Sequence, residues 1–229
     1  MRPLAIWKEL SMEVWHQVLQ QLINGISLGS IYALIALGYT MIYGIIKLIN
    51  FAHGDIYMVG AYIGFFAITQ AHLSVVPALL ISLVVTGFLG MLVERLAYKP
   101  LRHAPRISVL ITAIGVSYLL QNVALLIFGA NAKAFTSVVS VPALKLADGQ
   151  INITGETIVT IVTCLIIMAG LMLFINKTKA GQAMLAVSED KGAAQLMGIN
   201  VNATIALTFA IGSGLAAIAG VLLCSAYPS

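Results

Sequence analysis

The sequence predicts an all-α protein, a polytopic transmembrane helical bundle of about six membrane segments. Three observations predict it. Hydrophobic residues make up 60% of the 229 residues and charged residues 9%, at a mean hydropathy of +1.01. Soluble domains carry about 25% charged residues, so this chain cannot build an ordinary wet surface. The charges are clustered, and the apolar runs between them reach roughly twenty residues, enough to cross a bilayer as a helix. The runs are continuous rather than alternating, which excludes a β-barrel. Backbone groups in lipid must be satisfied internally, so helices follow.

The elements come in this order. Residues 1–18, "MRPLAIWKELSMEVWHQV", lack an apolar core ending in small residues. They read as an interfacial segment with Trp7 and Trp15 as anchors, rather than as a cleaved signal peptide. Residues 19–229 form the membrane domain. Its apolar segments run from about Leu19 to Ile45, Ile56 to Ala71, Val75 to Ala97, Ile107 to Ala130, Thr157 to Ile175 and Ala203 to Ala226.

Orientation follows from the basic loops. "RLAYKPLRHAPR" holds Arg95, Lys99, Arg102 and Arg106, and the stretch 177–191 holds Lys177, Lys179 and Lys191. Loops rich in Lys and Arg stay cytoplasmic. The polar stretch 131–156, with Pro142, Asp148, Gly149 and the tripeptide "NIT", then faces outward. Counting back puts the N-terminus outside and Lys47 on the cytoplasmic side. The net charge of +4 lies mostly in these loops, so it encodes topology and not a nucleic-acid surface.

Small residues prepare the helices for packing. "GISLG" (Gly25 to Gly29) and "GAYIG" (Gly60 to Gly64) have small-xxx-small spacing, and the last segment contains "GSGLAAIAG". Such faces let backbones approach closely, within one chain or between subunits. Cys164 and Cys224 lie in apolar runs and read as small packers.

Two stretches interrupt this pattern. "INFAHGDIYMVGAY", residues 49–62, places Asn50, His53 and Asp55 close together with Gly54 between them. Ionisable residues at membrane depth mark pathways or partners. One reading is a broken helix whose free N-terminus attracts a carboxylate, with Asp55 meeting an amino group or pairing with His53 or Lys47. The other is an interfacial turn in which Asp55 caps the next helix. The second stretch is 176–200, "NKTKAGQAMLAVSEDKGAAQLMGIN", too long for a minimal connection. Ser188 is a candidate cap for a short helix with Glu189 and Asp190 in its first turn, and Gly198 a candidate terminator. An acidic pair does not suit an anionic membrane surface, so this helix suits docking of another protein.

The remaining polar residues carry less. Gln121 and Asn122 fall in mid-segment and suit interhelical hydrogen bonds. Glu94 and Arg95 lie at a helix end, where snorkelling accounts for them. His16, His72 and His103 show no metal spacing, and no catalytic constellation or cofactor motif is visible.

The stretch "NGISLGSIYALIALGYTMIYGIIKLINFAHGDIYMVGAY" closely resembles the start of the branched-chain amino acid ABC transporter permeases, most of all the first of two sister permeases in the leucine/isoleucine/valine system. "ERLAYKPLR", "AIGVSYLLQN" and "GQAMLAVSEDKGAAQLMGINVNATIALTFAIGSGLAAIAGVLL" resemble that family too. The resemblance implies an inner-membrane permease domain over 19–229, driven by two separate ATP-binding subunits. It also implies a sister permease and a periplasmic substrate-binding protein. The loop at about 177–202 resembles the ATPase coupling segment, which brings that role to Gly181, Glu189, Asp190 and Gly198. Consistent with this, the chain has no G-x-x-x-x-G-K-[ST] loop of its own. Family members continue with further membrane helices beyond "CSAYPS", so the chain is expected to be shorter than they are. Permeases for urea and short amides share much of the pattern. An ion-coupled carrier using Asp55 and His53, or a membrane scaffold, are the rivals from other classes.

Overall fold

The computed structural model describes residues 3–47, 49–102, 104–131, 133, 142–146 and 151–226, with side chains of the first helix from Val14 onward. Trp7 has no described side chain, and His103, Asp148 and Gly149 lie outside the described residues. The order is α1 (Pro3–Ile46), α2 (His53–Thr69), α3 (Val75–Val93), a π-helical turn (Glu94–Tyr98) and α4 (Arg106–Phe128). A hairpin of β1 (Leu144–Leu146) and β2 (Ile151–Ile153) follows, then α5 (Gly155–Lys177), α6 (Lys179–Glu189), α7 (Lys191–Leu196) and α8 (Val201–Ala226).

Among the described residues five helices are long and apolar enough to cross a membrane: α1 from Val14, α3 with its π-turn, α4, α5 and α8. The sixth expected segment is α2, whose 17 residues sit at the short end of the spanning range of about 17–25. α1 is unbroken from Pro3, so residues 3–18 continue the first of these helices with no break between them.

α8 is the hub of the bundle. The α8 span is 78% buried, against at most 28% for the other four. Its small residues make this possible. A Cβ on Gly60 of α2 would fall 2.6 Å from Cα and Cβ of Ala217. One on Gly38 of α1 would fall 2.6 Å from the Gly212 carbonyl oxygen, and one on Gly87 of α3 would fall 3.1 Å from that of Ala210. α1, α2 and α3 therefore approach α8 backbone to backbone, the geometry that small residues permit. "GAYIG" is thus an intramolecular packing face. "GISLG" is different: Gly25 and Gly29 meet nothing within 4 Å.

The two ends of the bundle are chemically distinct. At one end the Gln20 amide donates to the Asn152 carbonyl at 3.0 Å and accepts from its N–H at 2.9 Å, tying α1 to β2. At the other end Lys47, Arg102 and Lys191 lie near enough to repel one another. α1 therefore runs from the hairpin end to a basic end.

Candidate functional site

Residues 49–52 form the turn into α2 at the basic end and residues 53–62 are its first ten residues, so the stretch is a connection between two helices and not a break within one. Asn50 folds this turn. It is buried, and its Oδ1 accepts the Ala52 N–H at 3.1 Å, the local bond that suits Asn to turns. The same oxygen accepts the Tyr98 hydroxyl at 2.6 Å. Its Nδ2 has no partner among the described residues.

Asp55 occupies the first turn of α2 and is buried. It does not cap the helix: the N-cap is Ala52, with no side-chain bond. The carboxylate faces α4, where Ser117 donates to Oδ2 and Gln121 donates to Oδ1 at 2.9 Å. A helix N-terminus favours that negative charge. Among the described residues Asp55 bonds neither His53 nor Lys47, so the pairing that is one of the alternatives from sequence does not form.

His53 points the other way. It is 3% exposed and packs edge-on against Tyr39 with ring centroids 5.8 Å apart. Gly38 leaves it room, since a Cβ there would lie 3.3 Å from the imidazole Cε1. The Ile35 carbonyl is the nearest acceptor to the ring, but among the described residues neither ring nitrogen has a partner in good hydrogen-bond geometry. Buried polar atoms are rarely left so. The three residues thus share one turn but reach separate places: Asn50 the π-turn, His53 the α1 side, Asp55 α4.

Sequence reasoning missed Ser117 and Tyr98, and misplaced Glu94. Ser117 and Gln121 are four apart, one helix face, which is the signal that could have found the first. Asn122 bonds its own helix at the Tyr118 carbonyl, 2.7 Å away, rather than a neighbour. Glu94 does not snorkel. It is 2% exposed and paired with Arg102, which also donates to Asn202; Arg95 is exposed as expected. Loop residue Arg102 folds back over the helix end, which no helical period could forecast.

The second stretch folds as two short helices at the basic end. Thr178 caps α6, its Oγ1 accepting the Gly181 N–H at 3.0 Å. A Cβ on Gly181 would collide with the backbone of Phe174 and Ile175, so glycine lets α6 turn tightly off α5. Met184 and Val187 bury the inner face of α6 against Ile205 and Phe209. α7 is capped by Asp190, whose Oδ1 accepts from Gly192 and Ala193 at 2.7 and 3.0 Å. Ser188, the cap expected from sequence, instead donates to the Leu185 carbonyl within α6. Glu189 ends α6, exposed. Gly198, at φ 82°, closes α7, with the Ile199 N–H bonded to the Ala194 carbonyl at 3.0 Å. Leu196 and Met197 project outward, 90% and 82% exposed. At the start of α7 the Lys191 ammonium is pushed to a lower pKa by burial first, then by Arg102 and Lys47.

Apolar helices of spanning length around a small-residue hub, with buried polar side chains and a capped helix pair at one end, are the architecture of a multi-pass membrane protein. The chain belongs to the family described as branched-chain amino acid transport system / permease component, whose model matches residues 21–228. It is 45% identical over 224 residues to the high-affinity branched-chain amino acid transport system permease protein BraD of Pseudomonas aeruginosa, covering 92% of this chain and 72% of the relative. It is 42% identical over 217 residues to LivH of Escherichia coli, covering 90% and 70%. A probable LivH of Methanocaldococcus jannaschii is 28% identical over 201 residues, covering 85% and 62%. No solved structure matches.

Proposed function

We propose that the chain is a permease subunit of an ATP-driven ABC importer of branched-chain amino acids in a bacterial inner membrane. The observation that carries this reading is its 42–45% identity to permeases of that transport system along nearly its whole length. The basic end is cytoplasmic by the positive-inside rule. The hairpin end faces outward, and residues 1–18 rest at that outer interface. Two ATP-binding subunits dock at the basic end, and a sister permease and a periplasmic substrate-binding protein complete the importer.

The permease contributes a path and a transmission, and no bond-making chemistry. α6 and α7 are the coupling face. Thr178, Gly181, Asp190 and Gly198 stiffen it, and Glu189, Leu196 and Met197 meet the ATPase. A rigid, capped helix pair suits this task, because a flexible loop would absorb the displacement it must pass on.

Asn50, His53 and Asp55 serve the pathway. A branched-chain amino acid is an apolar body with an ammonium and a carboxylate. Asp55 supplies a negative charge for the ammonium, held in place by Ser117 and Gln121. The Asn50 Nδ2 and the His53 imidazole face other sides of the same turn, so they would meet a carboxylate at a different point of the path from Asp55. Opening of the turn at 49–52 would give the substrate access to them.

The test is uptake by proteoliposomes holding the complete importer. Leucine, isoleucine and valine should accumulate only with ATP inside, and urea should not compete. ATP-dependent urea uptake, or leucine uptake driven by an ion gradient alone, would replace this reading.

A further inference from the structure

A second set of polar contacts links the α6–α7 end to the turn at residues 49–52; the pathway uses its last member, Asn50, but not Asn202, Arg102, Glu94 or Tyr98. It begins where α7 meets α8. Gly198 closes α7, and two residues later Asn200 caps α8, its Oδ1 accepting the Ala203 N–H at 3.1 Å. The junction has little slack, so Asn202 must follow any displacement of α7. Asn202 accepts from the Arg102 guanidinium, whose other terminal nitrogen donates to Glu94. The pair is well sheltered, with side-chain exposures of 21% for Arg102 and 3% for Glu94. A planar, two-pronged guanidinium fixes direction as well as distance, which an ammonium cannot do.

Glu94 opens the π-helical turn that continues α3, and Tyr98 ends it. Such turns are uncommon and concentrate at functional positions. Tyr98 is 4% exposed, lies 5.5 Å from the Phe209 ring of α8, and gives its hydroxyl to Asn50. Asn50 in turn shapes the backbone entering α2. A small cleft of about 50 Å³ runs between these parts, lined by Glu94, Tyr98, Arg102, Lys191 and Ile205 among others. It leaves room for Arg102 and the π-turn to shift against α7 and α8.

We propose that Arg102 is a positioning residue for coupling: through Asn202 on one side and Glu94 and Tyr98 on the other, it carries displacement of α6–α7 to Asn50 and the mouth of α2. This rests on the reading that an ATPase docks at α6–α7. Two discrete arrangements of the π-turn, one with the clasp closed and one with it released, then track the two states of the ATPase. Coupling between sites of this kind is worth about 5- to 150-fold.

The experiment uses the complete importer with leucine as substrate, and reads leucine imported per ATP hydrolysed. Removing Arg102 itself would strand the buried Glu94 charge and endanger folding. The informative variants are therefore Asn202→Ala, which cuts the clasp at an exposed residue, and Tyr98→Phe, which removes one hydroxyl. Arg102→Lys keeps the charge but loses the fork. Each should assemble normally and keep the wild-type basal rate of ATP hydrolysis without binding protein, while leucine per ATP falls about five-fold or more. Stimulation of hydrolysis by the loaded binding protein should fall in parallel. Unchanged stoichiometry in assembled Asn202→Ala and Tyr98→Phe complexes overturns the proposal while leaving the transport reading intact. A loss of uptake matched by an equal loss of assembly overturns it too, since the residues then act only on stability. A wild-type complex without ATP-dependent uptake overturns the transport reading and this inference with it.

Discussion

Asn50 and Tyr98 stand 48 positions apart in sequence and are joined by a buried hydrogen bond of 2.6 Å. The bond fastens the turn before α2 to the π-helical end of α3. Asn50→Ala would leave the Tyr98 hydroxyl and the Ala52 N–H unpaired. The expected cost is about 1–3 kcal/mol, read as a lower unfolding midpoint in detergent. An unchanged midpoint would show that water replaces the amide freely at this turn.

Asp55 separates charge from packing. Asp55→Asn keeps the size, and the Ser117 hydroxyl can rotate to accept from the new amide. The complex should therefore assemble. If the charge meets a substrate ammonium, leucine uptake should nonetheless fall about ten-fold or more, the equivalent of roughly 1.4 kcal/mol. Full uptake by the Asn variant assigns Asp55 to the α2–α4 contact alone.

The two glycine pairs should respond in opposite ways. Gly60→Leu forces a side chain into the Ala217 backbone, which cannot swing aside, so loss of fold or at least about 1–3 kcal/mol is expected. Gly29→Leu enters open space within this chain and should leave its own stability unchanged. Helicity and thermal unfolding of the two purified variants decide this. Tolerance of Gly60→Leu would contradict the close α2–α8 approach.

Glu189 and Asp190 are neighbours with different work. Asp190→Ala removes the α7 cap and should cost about 0.5–2 kcal/mol, whereas Asp190→Asn should restore it. Glu189→Lys alters an exposed position and should leave the fold untouched. If α6–α7 is the docking face, that variant should weaken co-purification of the ATPase subunits. Equal recovery of the ATPase would move the docking face elsewhere.

Much of the architecture was legible because lipid leaves so few choices. The six segments, the basic loops and the small residues of "GSGLAAIAG" are local signals, and each maps onto a helix, an end or the hub. The ends of α7 were legible in kind, since Gly198 does terminate it, but the cap was Asp190 rather than Ser188. Two residues so close in sequence and so alike in capping chemistry cannot be ranked without knowing where α6 stops. The site was harder. That Asn50, His53 and Asp55 diverge, and that Glu94 is buried, depend on long-range neighbours: Tyr98, Tyr39, Ser117 and Arg102. No periodicity encodes these meetings. Snorkelling was the natural account of Glu94 because a helix-end carboxylate usually finds water before it finds a guanidinium.

The central claim is that hydrolysis on a partner, delivered to α6–α7, drives amino acid passage through this chain. Leucine uptake tests it most directly, in vesicles holding the wild-type importer, the Glu189→Lys/Asp190→Lys importer, or the permeases without ATPase subunits. The account predicts ATP-dependent accumulation in the first only, with the doubly substituted importer failing to couple hydrolysis to uptake. Wild-type accumulation by the substituted importer, or by the permeases alone, would contradict it.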